Sequence, residues 1–429
     1  LRIREKVNHR WREGKGSGHC AGREEVRVRP LRGLPAEVRA LVGVAFMVAL
    51  GYGLVAPAIP LFARQFGVGK AAAGAVVSAF ALMRLVTAPF VGRLVNALGE
   101  RVLLATGIGV VAVSSLLAGL AQSYWQLLVL RGVGGLGSIM FSVSAASLLV
   151  RVTPDHLRGR AQGVWAGSFL IGMIAGPALG TVASFSLRAP FFLYAGTLVI
   201  AGLLGLGALR HSELAAPRAV RTAPLALATA LRSRAYLAAL AASFAGDFSL
   251  VGARSAILPQ FVSDRLGLGS GWVYAAFLVV SIVSGLLLLP VGRVADTRGR
   301  RPVIVVGLLV GAAAFVLLPS VPVAAGLMAA ATLLGVAGAA DSVAPGAVMG
   351  DVVAGRGGTV VAVFQMSGDL GAVLGPVVAG WIADGAGYST AFAVSAAVCA
   401  GPVLAVSAAP ETLRRPAPEP LSAAASDVT

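Results

Sequence analysis

Charge is scarce in this chain of 429 residues: only 12% are Asp, Glu, Lys or Arg, about half the share of a water-soluble globule. With 57% hydrophobic residues and a mean hydropathy of +0.85, a soluble fold is excluded. Cysteine is nearly absent. Cys20, near the start, and Cys399, in the last apolar run, are too different in setting to imply a disulfide framework. Histidine is equally rare, and His9, His19, His156 and His211 all fall in charged segments. No histidine proton relay or metal centre inside the apolar runs is therefore expected, and no cofactor. A P-loop, a Gly-rich dinucleotide turn and a Ser/His/Asp constellation are all missing, so neither an ATP-driven pump nor a membrane enzyme is expected. Alternating ten-residue strands are missing too, which leaves helices as the way to satisfy the backbone in lipid.

What the chain has instead is long, continuous apolar runs. A hydrocarbon core about 30 Å thick takes roughly 20 apolar residues per helix. Twelve spans are predicted, at about 40–62, 71–91, 102–121, 124–150, 161–187, 190–209, 235–261, 271–291, 302–320, 323–349, 358–384 and 388–409. The net charge of +17 follows these boundaries and does not mark a nucleic-acid face. With the N-terminus inside, 28 of the 35 basic residues lie on the cytoplasmic side. Only Arg64, Lys70, Arg188 and Arg265 lie outside, and Arg84, Arg131 and Arg254 fall within spans. Both termini are therefore expected to be cytoplasmic. Residues 1–39 read as a disordered tail, and the first Met, Met47, already lies in a span, so the true start of translation is expected to differ. Residues 40–209 and 235–409 form two six-helix halves, joined by a cytoplasmic linker at 210–234 that contains Pro217 and Pro224. Residues 410–429 form a cytoplasmic tail.

The two halves are copies of one unit. Gly92-Arg93-Leu94-Val95-Asn96-Ala97-Leu98-Gly99-Glu100-Arg101 returns two hundred positions later as Gly292-Arg293-Val294-Ala295-Asp296-Thr297-Arg298-Gly299-Arg300-Arg301, each time between apolar runs. Similarly, Gly172, Gly176, Pro177 and Gly180 in span five are matched by Gly371, Gly375, Pro376 and Gly380 in span eleven. Parallel six-helix repeats with a central linker describe one transporter architecture.

These residues resemble the major facilitator superfamily, from about Leu41 to Glu411. The loop Gly292–Arg301 matches the family's G-x-x-x-D-x-x-G-R-R signature at each defining position, whereas the first copy has Asn96 in place of the usual Asp. Leu50-Gly51 followed by Pro57-x-x-Pro60, together with Arg131-x-x-Gly134-Gly135, is similar to motifs of the twelve-helix drug/proton antiporters. Gly172–Gly180 resembles the motif carried by the family's exporters. The resemblance implies an all-α fold of two pseudo-symmetric six-helix bundles in the plasma membrane, working as a monomer. It also implies export of small amphipathic molecules, drugs or metabolites, in exchange for protons. The alternatives are a transporter of one metabolite (sugar, amino acid or siderophore) and a non-transporting membrane sensor or partner. A cytoplasmic gate is implied at Gly92, Gly99, Arg101, Gly292, Asp296, Gly299, Arg300 and Arg301. Asp296 is expected against the positive start of span five, near Ala161–Trp165, and Gly292 is expected to permit close helix approach.

Each ionisable group at mid-membrane costs about 2.5–3.5 kcal/mol, so it needs a use. Asp247 and Asp369 lie near the middle of spans seven and eleven, and with Asp341 and Arg131 they are the candidates for proton coupling. The competing reading of the acids is a structural ion pair; Arg254, seven residues after Asp247, is about 10.5 Å away by helix rise. Arg84 is read as a structural partner near the gate. Glycines at 172, 176 and 180 share one helix face. With Pro177 they read as a kinked hinge between the halves or as an ordinary packing seam. Tyr52, Phe80, Phe141, Trp165, Phe244, Phe364 and Trp381 are candidate cavity aromatics, while Tyr124, Trp125 and Trp272 suit the membrane interface.

Overall fold

The computed structural model describes residues 34–153, 158–182, 185–209, 227–353 and 358–413. Most of the predicted N-terminal tail, the linker through Pro217 and Pro224, and the end of the C-terminal tail lie outside them, as do the side chains of Arg93 and Asn96 and the surroundings of Gly92.

Among the described residues, twelve helices are long and apolar enough to cross a membrane, and each overlaps a predicted span. Span one is Ala36–Arg64, span seven Arg234–Asp264 and span twelve Gly387–Ala408. The others are Lys70–Leu98, Glu100–Gly119, Tyr124–Val152, Arg158–Val182 and Ala189–Leu209 in the first half, and Ser270–Arg298, Arg300–Ser320, Ala324–Val353 and Gly358–Gly385 in the second. Span five is described as helix to Val182, and Phe185 already lies in a turn, short of the predicted end at 187.

Local chemistry sets several ends. Ser123 accepts a hydrogen bond from Gln126 N–H at 3.4 Å and starts span four; Ser233 does the same for Tyr236 N–H in span seven. The two charged repeats are not loops. Helix continues through Leu98 and Arg298, and the chain breaks only at Gly99 (φ 84°) and Gly299 (φ 116°) before the next helix begins. Those left-handed conformations are where glycine is required. Span seven also departs from expectation. Asp247–Ala253 is π-helix between two α-helical stretches, so Asp247 and Arg254 do not share the regular face assumed from their spacing. Single-turn π segments occur often at functional sites.

The buried side chains segregate by half. Two clusters are built from spans one to six, and two essentially from spans seven to twelve. The bundles repeat each other in detail. Gly172 and Gly176 lie on the backbone of span one at Phe46, Leu50 and Leu54, and Gly371 and Gly375 lie on that of span seven at Phe244, Phe248 and Ala253. Lipid offers apolar side chains nothing that a neighbouring helix does not, so such close backbone contact is what holds these helix pairs together.

The halves meet along two seams, spans two with eleven and five with eight. At the face carrying Arg64 and Lys70 the seams are closed. Gly180 packs on Tyr274, and Gly380 on the backbone of Lys70 and Ala71. At the opposite face, carrying Gly99 and Gly299, a Cβ built at Gly163 or Gly167 of span five would meet nothing within 4 Å. The polar contacts described there stay within one half: Arg151 and Ser147 on Glu100 in the first, Arg300 and Thr412 on Asp351 in the second.

Candidate transport site

The space between the halves is lined by Tyr52 of span one, Phe80 of span two, Arg131 of span four, Val251 and Ser255 of span seven and Ala372 of span eleven. Arg131 is 3% exposed, its guanidinium 4.6 Å from the centre of the Phe80 ring, and its Nε has no hydrogen-bond partner. Arg254, just past the π segment, stands 5.2 Å from the Phe277 ring, and its Nε is likewise buried and unsatisfied. Neither guanidinium has a carboxylate partner among the described residues. Tyr52 is close enough to act electrostatically on both.

The acids lie in the second half. The charge of Asp369 acts on Asp247, and that of Asp247 on Asp341. Glycines make the room. A Cβ at Gly368 of span eleven would overlap the Asp247 carboxylate, and one at Gly246 of span seven would overlap that of Asp341. Asp369 also feels Arg84 across the seam, while Arg84 donates to Ser138 Oγ at 2.7 Å and Ser142 Oγ at 3.5 Å. Asp341 borders a small pocket whose other walls, including Ala242, Leu250, Leu308 and Pro345, all belong to the second bundle. The carboxylates thus run from the seam at Asp369 into the bundle at Asp341. No hydrogen bond or ion pair to any of the three is described, so the Asp247–Arg254 ion pair is not formed.

Sequence reasoning missed the closed face. Arg64 reaches Asp264 at 2.6 Å and Gln260 Oε1 at 3.3 Å, and Tyr388 O–H donates to the same Asp264 oxygen at 2.6 Å. Asp384 accepts from the first backbone N–H groups of span two, Lys70 at 2.9 Å and Ala71 at 2.8 Å. It also stands 3.7 Å from the Lys70 ammonium, which lies over the Tyr388 ring. Ser78 Oγ donates to the carbonyl of Val373 at 2.5 Å, tying the same seam deeper in. All of these join the two halves except the Tyr388–Asp264 bond, which braces Asp264 from within the second half. Charges at span ends carry no sequence signal beyond membrane topology, and partners separated by 196 to 314 positions leave no local pattern.

Other expected residues are placed differently. Gly172 and Gly176 pack inside the first bundle and only Gly180 reaches across the seam, because the shared helix face turns from span one toward span eight along its length. Pro177 lies inside a continuous helix. Gly292 makes no close approach, since an added Cβ would come no nearer than 4.0 Å to Val343. Asp296 is 70% exposed and faces Arg300, one turn on, at 3.7 Å, not the start of span five. Glu411 takes the helix-capping role: its carboxylate accepts from Arg300 N–H at 3.0 Å and Arg301 N–H at 3.1 Å, at the start of span nine. Tyr52 and Phe80 line the cavity; Phe141 and Phe364 are core residues, and Trp381 is 71% exposed.

Two six-helix bundles, tied to each other at the face carrying Arg64 and Lys70 and enclosing charged side chains between them, have the architecture of a membrane transporter. The chain belongs to the Major Facilitator Superfamily, whose profile matches residues 41–288 and 255–426; members of this family are transporters, not enzymes. The quinolone resistance protein NorA of Staphylococcus aureus (strain MRSA252) is 31% identical over 156 residues, which cover 36% of this chain and 40% of that relative. The multidrug resistance protein MdtG of Salmonella choleraesuis (strain SC-B67) is 27% identical over 368 residues, 82% of this chain and 90% of that protein. The fold is also that of a mutant of the nucleoside transporter NupG, with a TM-score of 0.71 at 16% identity over 87% of this chain and 99% of the other.

Proposed function

We propose that this transporter exports small amphipathic molecules by alternating access in exchange for protons, as a monomer in the plasma membrane with both termini cytoplasmic. The observation that carries the reading is the run of Asp369, Asp247 and Asp341 from the seam into the second bundle. No hydrogen bond or ion pair to any of the three is described, which leaves these carboxylates available to a proton or to cargo. Protonation or cargo binding can therefore change the same local balance. The basic face, cytoplasmic by the distribution of Arg, is the open one, which is the state in which an exporter loads cargo. The two multidrug-type relatives and the glycine motif of span five support the direction. Asp247, Asp369, Asp341 and Arg131 are the proposed coupling residues, Gly172, Gly176, Pro177 and Gly180 the proposed hinge. Gly92, Gly99, Arg101, Gly292, Asp296, Gly299, Arg300 and Arg301 form the proposed cytoplasmic gate.

Everted vesicles loaded with a pH-sensitive dye test the proposal. A transported amphipathic drug should release protons from the vesicle lumen, and an uncoupler should abolish drug accumulation. The reading fails if Asp247→Asn and Asp369→Asn both retain gradient-driven uptake into such vesicles.

A further inference from the structure

We infer that Arg131 and Arg254 form an anion-recognition site in the transport cavity, gripping the carboxylate of an amphipathic substrate between the two halves. The inference rests on the export reading and narrows its substrate class.

Three observations converge. The first is that no counter-charge is described for either arginine. A charge buried in this setting is normally paired, yet neither guanidinium forms an ion pair among the described residues, and Asp369 lies by Arg84 instead. The second is geometry. Each guanidinium sits by an aromatic ring, Phe80 or Phe277. A guanidinium held over a ring can still offer its in-plane N–H donors, and those donors match a carboxylate in pairs. The buried, unsatisfied Nε of each arginine belongs to that set of donors. The third is placement. Arg131 comes from the first half and Arg254 from the second. Tyr52 lies near both, and Tyr52, Phe80, Arg131 and Ser255 line one cavity. A substrate with an aromatic body and a carboxylate would satisfy the donors and rest its rings on Tyr52 and Phe80. A permanent cation without an acidic group would meet two positive charges there.

The test uses the full chain in lipid nanodiscs and two fluorescent probes of one shape, 1-pyrenebutyrate and the neutral 1-pyrenebutanol. Wild type should bind the carboxylate about tenfold more tightly than the alcohol, a margin suited to one bidentate charged contact. Arg254→Gln and Arg131→Gln should each remove that preference while leaving alcohol binding within about twofold, and Arg254→Lys should keep part of it, since an ammonium holds the charge without the fork. If the buried Arg131→Gln variant does not fold, as judged by size-exclusion profile, the two Arg254 variants decide the matter. The site is overturned if wild type binds both probes alike or neither, or if Arg254→Gln keeps the carboxylate preference. Export is measured separately in vesicles. Carboxylate-selective binding without export would sink the export reading and leave this site standing; export without that preference would sink the site alone.

Discussion

Asp264 of span seven stands 2.6 Å from the Arg64 guanidinium at the end of span one, and this pair ties the two halves across their closed face. Both side chains are about one-third exposed, so water screens them and the pair contributes roughly 0.5–1 kcal/mol. Asp384 adds a second tie by capping the N-terminus of span two from the opposite half, worth about 1 kcal/mol. These are small energies, as the proposed transport cycle would require of a contact that opens and recloses.

Removing both ties should shift the resting equilibrium. Asp264→Asn with Asp384→Asn is expected to raise the population open at the Arg64/Lys70 face by roughly tenfold, from about 1.5 kcal/mol of lost stabilisation. Spin labels placed across that face would report the change as a new, longer distance. An unchanged distance distribution would mean that apolar seam packing, not these ions, keeps the face shut.

Gly176 cannot accept a side chain in this packing. A Cβ there would lie 2.5 Å from the Leu50 carbonyl oxygen and 2.7 Å from the Leu54 nitrogen, and backbone on both sides leaves nothing flexible to yield. Gly176→Leu should leave the protein inserted in the membrane, lower its thermal stability by an overpacking cost of about 1–3 kcal/mol, and reduce export at least tenfold. Gly375→Leu, its counterpart in span eleven, packed on the backbone of span seven, should do the same. Normal export by either variant would reduce the motif to a spacing feature without mechanical consequence.

Glu411 lies outside the spans and titrates with a readable sign. Burial raises its pKa, but hydrogen bonds from the N–H groups of Arg300, Leu413, Arg301 and Thr412 outweigh it, and the carboxyl is held below its ordinary value. A depressed acid contributes stability above its unfolded pKa, about 4.3, and loses it as pH falls through the folded value. Glu411→Gln should therefore cost about 0.5–1 kcal/mol at neutral pH, a typical capping loss. The gap from wild type in thermal unfolding should shrink below pH 4 or so. A gap independent of pH would assign the loss to packing against Gly299 and not to the charge.

Much of this architecture was legible because span length and apolar content are local properties of the chain. The twelve spans needed only continuous apolar runs, whereas the charged repeats, read as loops, are helical up to Gly99 and Gly299. The acids of the candidate site were legible for a related reason: a charge inside an apolar run stands out. What joins those residues was not legible. The π segment at Asp247–Ala253 changes which side chains face the cavity, and its sequence resembles that of any small-residue helix. Arg254 reads in the sequence only as a distant partner for Asp247, yet Tyr52 acts on it as it does on Arg131. Arg64, Asp264, Tyr388 and Asp384 read singly as ordinary interfacial residues, and only tertiary packing shows them as one latch.

The same logic bears on Asp296. In this state it is 70% exposed with only the loose contact to Arg300 at 3.7 Å, while Arg300 is held more closely by Asp351 at 2.8 Å. A carboxylate so weakly engaged costs little to redirect. In the proposed cycle this face closes in the other state, and closure would bring the end of span eight toward the start of span five, whose helix N-terminus favours negative charge. The corresponding position in the first half is Asn96, which has no charge to contribute. Asp296→Asn should therefore slow export by roughly five- to tenfold, about 1–1.4 kcal/mol from a helix-terminus contact made only in the closed state. Asn96→Ala should change it by less than about twofold. Initial rates in vesicles matched for protein content would compare them, and equal effects would place the closing contact elsewhere on that face.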